Sequence, residues 1–354
     1  MPGSRQPRNP LLFCTALCLS VAFSVSGCDV TSTMPTSIST VSMPTSTTSK
    51  LIERMDGQSP SPNMLAWSPD STRVAVASSF TPLRVWDIAS SRPVAEFAVT
   101  AANHGLSWSA DGKSIAIAAI QPTDKLQVWD VANTDRTFNA DPGSGATEVA
   151  WSPGGERLAV ASSGHIKDKN FSVEGGAIFL YDPSTWTQLR MLPYAGFVGS
   201  LSWAPDNNRL VFASTTGDLK ETDLVVWDLN SDKTSHIGES LPGSGTDVKW
   251  SPDGVLIAVD SGESSVALID PTSGRVVRQM AHGDKVISIS WSPDSKRIAT
   301  AGQSGAIKVW EASSGNLLTT LDQGVLLTSM AWSPDGNYLA STGAGNSLCI
   351  WDAR

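Results

Sequence analysis

The sequence predicts an all-β chain: a seven-bladed β-propeller of four-stranded antiparallel blades, its ring closed by an N-terminal strand that completes the last blade. Three observations predict this. A Trp-x-Pro-like turn recurs at Trp67, Trp108, Trp151, Trp203, Trp250, Trp291 and Trp332, at intervals of 41, 43, 52, 47, 41 and 41 residues. A second signal trails each turn: Trp86-Asp87, Trp129-Asp130, Tyr181-Asp182, Trp227-Asp228, Ile269-Asp270, Trp310-Glu311 and Trp351-Asp352. Twelve of the 13 Trp residues stand at these two positions, Trp186 being the exception.

Each unit reads as four strands. Ile287, Ile289 and Trp291 alternate with Ser288 and Ser290, a period of two that marks a first strand. Ser-Pro-Asp-Gly then suits a type I turn: Pro presets φ at its second place, Asp tolerates the third and Gly takes the last. A short second strand rich in Ala and Val follows, such as Val74-Ala75-Val76. The third strand carries the aromatic residue, as in Ile307 to Trp310, and the fourth runs Leu317 to Leu321 after a turn at Ser313-Ser314-Gly315. Small side chains near the axis and larger ones farther out fit the taper of a ring. The last unit ends three residues after Trp351, without a fourth strand. Lys50 to Met55 is patterned like the fourth strand Arg275 to Met280 and is expected to fill that place. Such a pairing ties the ends together and removes an open edge.

Upstream, Arg5 and Arg8 precede a mostly apolar run from Leu11 to Val25 that is shorter than the roughly 20 residues of a membrane-spanning helix. It ends Val25-Ser26-Gly27-Cys28, which resembles the lipobox of bacterial lipoproteins. The resemblance implies a signal peptide over 1–27, lipidation of Cys28 and anchoring outside the cytoplasmic membrane. Residues 28–50 then read as a tether: 13 of the 22 residues from Asp29 to Lys50 are Ser or Thr, too polar to offset their ordering entropy. The folded domain is expected over 51–354.

The repeats over 51–354 resemble the WD40 family in period, terminal Trp-Asp and β-rich run. Their Trp-Ser-Pro-Asp-Gly turns also resemble the periplasmic propellers of the TolB-like group. The Asp that many WD40 repeats carry between strands two and three is missing: Ser304 and Gly345 hold its place, with Glu263 as an acidic substitute. The buried His–Ser/Thr–Asp–Trp network of that family is therefore expected to be mostly absent, although His282 sits near the His position.

The chemistry expected is binding. A net charge of −9, from 25 basic and 34 acidic residues, argues against nucleic acid as partner. Four Cys are too few for a disulfide scaffold. His104, His165, His236 and His282 have no metal-ligand spacing, and no cofactor, metal or catalytic residue is expected. The informative irregularity is loop length. From first-strand Trp to third-strand aromatic, blade three takes 30 residues and blade four 24, against 19 in blades one, five, six and seven. The extra residues fall between strands two and three, over 164–176 and 215–223. Here His165, Lys167, Asp168, Lys169 and Phe171, with Asp218 and Lys220, mix charge with apolar groups and are the candidate partner-binding residues. The expected function is a membrane-anchored, monomeric, non-catalytic scaffold outside the cytoplasm that docks a protein or peptide. The alternative is a propeller that binds or processes a small ligand, such as a sugar or cell-wall fragment, at its central channel.

Overall fold

In the computed structural model the described residues are 51–56, 62–78, 82–99, 103–119, 125–142, 145–162, 165–166, 173–174, 176–194, 196–215, 221–242, 247–262, 264–345 and 347–354. They form seven antiparallel blades with at least four strands each, and no helix occurs among them. Blade one spans 62–97, blade two 103–140, blade three 146–194, blade four 197–242, blade five 248–281 and blade six 286–322. Blade seven spans 327–352 and takes its fourth strand from Leu51–Asp56, which pairs antiparallel with Ser347–Asp352, from Leu51 opposite Trp351 to Asp56 opposite Ser347. The expected ring closure is thus present.

First strands touch the first strands of both neighbouring blades all the way round, so they line the axis. Fourth strands are mostly exposed and form the rim. The hydrophobic core is accordingly divided into seven clusters, each sandwiched between consecutive blades. Second strands show why flat blades fit face to face. Their side chains alternate between the two sheet faces. The bulky set faces the preceding blade: Ile115 and Ile117 meet blade one, Leu158 and Val160 meet blade two, Leu210 and Phe212 meet blade three. The alanines face the following blade: Ala75 and Ala77, Ala116 and Ala118, Ala159 and Ala161, Ala299 and Ala301. Large thus packs against small at these interfaces, filling them to interior density. Cys349 is buried in the cluster between blades six and seven.

The inner strands are also hydrogen-bonded blade to blade, in two alternating ways set by the residue before each first-strand Trp. Where that residue is Ser, its hydroxyl accepts the backbone N–H of the next blade's Trp: Ser107 from Trp151 (3.1 Å), Ser202 from Trp250 (3.0 Å) and Ser290 from Trp332 (2.9 Å). Where it is Ala or Lys, its carbonyl accepts the next indole N–H instead. Trp108 donates to Ala66, Trp203 to Ala150, Trp291 to Lys249 and Trp67 to Ala331, at 3.0–3.1 Å. The last of these crosses the ring closure.

The seven Trp turns form a collar at one end. Each closes with a backbone bond from its fourth residue to its first, for example Gly112 N–H to Ser109 O at 2.9 Å. That fourth residue has positive φ in every turn: Gly112, Gly155, Gly254 and Gly336, but also Ser71, Asn207 and Ser295 near 60°. The three non-glycine residues are explained by their side chains, which accept a backbone N–H from the preceding blade's turn: Ser71 from Asp335, Asn207 from Gly154, Ser295 from Asp253. Trp186 occupies the left-handed position of the turn between strands three and four, where blades one, two, four, five and six place Ser91, Thr134, Asp232, Gly274 and Gly315. Holding a bulky residue there costs about 1–2 kcal/mol. Stacking of its ring on Phe138, 4.5 Å between centroids at 9°, and edge contact with Trp151 offset it.

Two outcomes follow from this ring. Single Ser107→Ala, Ser202→Ala and Ser290→Ala changes should each cost about 1 kcal/mol and add nearly independently in urea unfolding. Removing Leu51–Asp56 leaves the strand Ser347–Asp352 as an open edge. The truncated protein should self-associate on size-exclusion chromatography, and a stable monomer would refute the closing role.

Candidate functional site

Because each blade is an antiparallel meander, the connections between strands two and three gather at the end opposite the Trp collar. Those of blades three and four stand out. In blade three the connection after Leu158–Ser162 contains a small hairpin, His165–Ile166 paired with Val173–Glu174, before the strand Gly176–Asp182. In blade four much of the extra length goes into longer strands, Arg209–Thr215 and Glu221–Asp228, and Leu241–Pro242 adds a fifth strand against Glu221 and Thr222. Of the residues expected to bind a partner, His165 lies in the backbone of the hairpin. Lys167, Asp168, Lys169, Phe171, Asp218 and Lys220 lie outside the described residues, as does Cys28.

Two blades keep part of the buried polar network. In blade six the His282 Nδ1 and Thr300 Oγ1 are 2.8 Å apart, and Trp310 Nε1 donates to the same hydroxyl at 2.8 Å. In blade seven Trp351 Nε1 donates to Ser341 Oγ at 2.8 Å, and Ser341 donates to Gln323 Oε1 at 2.5 Å. Gln323 stands four residues before its first strand, as His282 does, and its amide replaces the imidazole. No Asp takes part in either set, and among the described residues the His282 Nε2 is buried without a hydrogen-bond partner.

A second locus lies on the axis. A cavity of about 250 Å³ is lined by first-strand residues, among them Met64, His104, Leu106, Glu148, Asp247, Lys249, Ile287 and Ser329. The first strands of blades one, two, three, four, six and seven each carry a register shift at the equivalent place, for example between Asn103 and Gly105 and between Val286 and Ser288. Such bulges re-aim a side chain, and the residues inside three of them, His104, Ile287 and Thr328, line the cavity. Gly105 lets blades two and three close up, since a Cβ there would stand 2.7 Å from the Val149 nitrogen.

Asp247 organises the charge here. Its Oδ1 accepts Lys249 Nζ at 2.6 Å and Ser200 Oγ of blade four at 3.1 Å, while its Oδ2 accepts the Ile289 N–H of blade six at 2.7 Å. One carboxylate therefore joins three blades and fixes Lys249. Burial works against the Lys249 charge, but Asp247 and the more distant Glu148 outweigh it and hold the ammonium above its ordinary pKa. Among the described residues Glu148 has no such partner: its one hydrogen bond there is from the neighbouring Val149 N–H, at 3.3 Å. Burial raises its pKa from 4.5 to about 7, with Lys249 pulling it down and Asp247 pushing it up. Desolvation lowers the pKa of His104, favouring its neutral ring.

Sequence reasoning passed over these residues, though alignment on the Trp shows the signal. Three places before it stand Met64, Gly105, Glu148, Ser200, Asp247, Ser288 and Ser329, and one place before it Lys249 is the charged residue. Charge on an inner strand is the departure that carries information.

A sequence model described as WD domain, G-beta repeat matches residues 274–311 and 315–352. Each match runs from the fourth strand of one blade through the third strand of the next, and together they take in the two blades that keep the His/Gln–hydroxyl–Trp network. A second model, Eukaryotic translation initiation factor eIF2A, matches residues 20–171. No curated protein matches the chain at a significant level. The chain is thus a seven-bladed propeller with two segments, 274–311 and 315–352, that match the WD40 repeat.

Two measurements check the polar groups. Thr300→Val leaves the Trp310 indole and the His282 ring without their shared partner and should cost about 1–3 kcal/mol in thermal unfolding. For Glu148, the folded state binds its proton more tightly than the unfolded chain, so stability falls as pH rises from 4.5 to about 7. His282 acts in the opposite sense: burial and then Lys308 push its pKa down from 6.5 to about 4, so stability is lost as pH falls through that window. Glu148→Gln should match wild type near pH 4.5 and exceed it in urea midpoint at pH 8. An equal difference at both values would mean that Glu148 titrates like an exposed carboxyl.

Proposed function

We propose that this protein is a non-catalytic docking module, held outside the cytoplasm of a bacterial cell by lipid on Cys28. The observation that carries the docking reading is the pair of built-up connections on adjacent blades three and four, at the end away from the Trp collar. The remainder of the described ring is regular and rigidly bonded, which suits a platform that presents variable segments. Propellers of WD40 repeats are in general protein-interaction folds, which supports a protein or peptide partner. The net charge of −9 favours a basic or neutral partner. It gives no overall attraction for RNA, so the translation-factor name of one matching model is not carried over. Anchoring and export rest on the lipobox-like Val25-Ser26-Gly27-Cys28 and the Ser/Thr-rich segment after it, and the bacterial, TolB-like reading rests on those residues and the turn motif. Residues 164–176 and 215–223 would make the contact, with the monomer as the binding unit.

The test is a crosslinked pull-down of the full-length protein from its own membranes, beside a variant with 164–176 shortened to a tight turn. A partner captured by the first and lost by the second, with unchanged circular dichroism, supports docking through this face. Equal capture by both removes the loop assignment. Mass spectrometry of the purified chain should show a diacylglyceryl-modified Cys28 at its start, and an unmodified N-terminus would end the anchoring proposal.

A further inference from the structure

We propose that the axial cavity binds a small organic cation, a primary ammonium on a short carbon chain, with the Glu148 carboxylate as its counter-ion. The proposal begins with the charge inventory of the lumen. Asp247 is fully engaged by Lys249, Ser200 and the Ile289 N–H. Lys249 is engaged by Asp247 in return, so this pair is neutral. His104 is favoured in its neutral form by desolvation. Glu148 is left over: it lines the cavity and, among the described residues, forms no ion pair and accepts only the long bond from Val149. A carboxylate withdrawn from water must either take up a proton or find a cation. Burial raises its pKa to about 7, so without a cation beside it the carboxylate takes up a proton near neutral pH.

The rest of the wall says which cation. A metal ion needs several oxygen, nitrogen or sulfur ligands together. Among the described residues no group of three or more His, Cys, Asp or Glu side chains is placed to hold one. The cavity wall is otherwise different: it includes the alkyl side chains of Met64, Leu106 and Ile287, with hydroxyls from Thr328 and Ser329. That lining suits a short alkyl chain with one charged end. The cavity of about 250 Å³ has room for such a molecule. Lys249, locked to Asp247, turns away anions less than its charge alone would suggest, and its positive end disfavours a second cationic group in the ligand.

This inference is independent of the docking reading, because it concerns the axis and not the strand two–three connections. It is tested on the full-length protein with three probes of similar size: n-butylammonium, n-butanol and butyrate. Isothermal titration calorimetry should show butylammonium binding about tenfold more tightly at pH 8 than at pH 6, since the ionised fraction of a carboxyl titrating near 7 rises about tenfold over that range. Butanol and butyrate should bind at least about tenfold more weakly than butylammonium at pH 8. The carbon-13 carboxyl resonance of Glu148 should titrate at lower pH in the presence of the amine. Glu148→Gln should lose binding with the fold intact, while His104→Gln should keep the pH profile and so exclude the imidazole as its source. Binding of butanol as tight as butylammonium would mean apolar filling alone, and tighter butyrate would make Lys249 the recognised charge. Either result overturns the proposal, as does a pH-independent affinity in wild type, which also decides the matter if Glu148→Gln does not fold.

Discussion

The structure depends on seven inner strands being bonded each to the next around a closed circle. Two devices share this work: a Ser hydroxyl that accepts a backbone N–H, and a backbone carbonyl that accepts an indole N–H. They alternate from blade to blade, through Ala66, Ser107, Ala150, Ser202, Lys249, Ser290 and Ala331. A ring of seven cannot alternate without one repetition. It falls where the chain closes, with Ala331 and Ala66 in succession, and there the indole device serves both joints. The Ser device has a consequence for the next ring. The Trp151 and Trp250 indoles, whose backbones it holds, have no hydrogen-bond partner of their own, and Trp332 turns its indole to Gly336 instead.

From that circle follow the radial layers. The second strand presents bulk to one neighbour and alanine to the other, so that each interface is a fit of unlike surfaces. The third strand carries the aromatic residue that closes the outer part of the interface. Its polar end is met differently from blade to blade: by Thr300 in blade six, Ser341 in blade seven, the side chain of Gln127 in blade two and that of Asp232 in blade four, while the Trp86 indole of blade one is buried without a partner among the described residues. The scaffold therefore tolerates several solutions at this position, because the indole needs only one acceptor within reach. At the axis the tolerance is narrower. Lys249 is answered inside the ring by Asp247, which also recruits groups from blades four and six, whereas Glu148 is left without an ion pair among the described residues.

Much of the fold was legible in the sequence. Blade number, strand order, the turn at each Trp and the strand that closes the ring are all local or periodic properties, and a period repeated seven times leaves little freedom. The longer strand two–three connections of blades three and four were legible as intervals too. That blades six and seven keep part of the polar network was not legible, because a family pattern is sought at the turn position and not at the hydroxyl of strand two. Thr300 and Ser341 look unremarkable in the chain, and Gln323 does not resemble a histidine until it is seen in the same place. Trp186 stood out by number, but its role as a lid on Phe138 depends on a ring from another blade.

The sequence by itself determined the architecture, since hydrophobic period, turn chemistry and repeat length act within one blade and need no knowledge of the others. What only the tertiary structure decided is which side chains meet on the axis. Glu148, Asp247 and Lys249 come from two blades, with a third blade's Ser200 and a fourth's Ile289 completing the set. Their separation along the chain, about 100 residues between Glu148 and Lys249, is closed by the curvature of the ring. Whether a carboxylate is paired or left alone depends on that closure, and so does its proton affinity, because desolvation and neighbouring charge are properties of the assembled lumen and not of the strand that carries it.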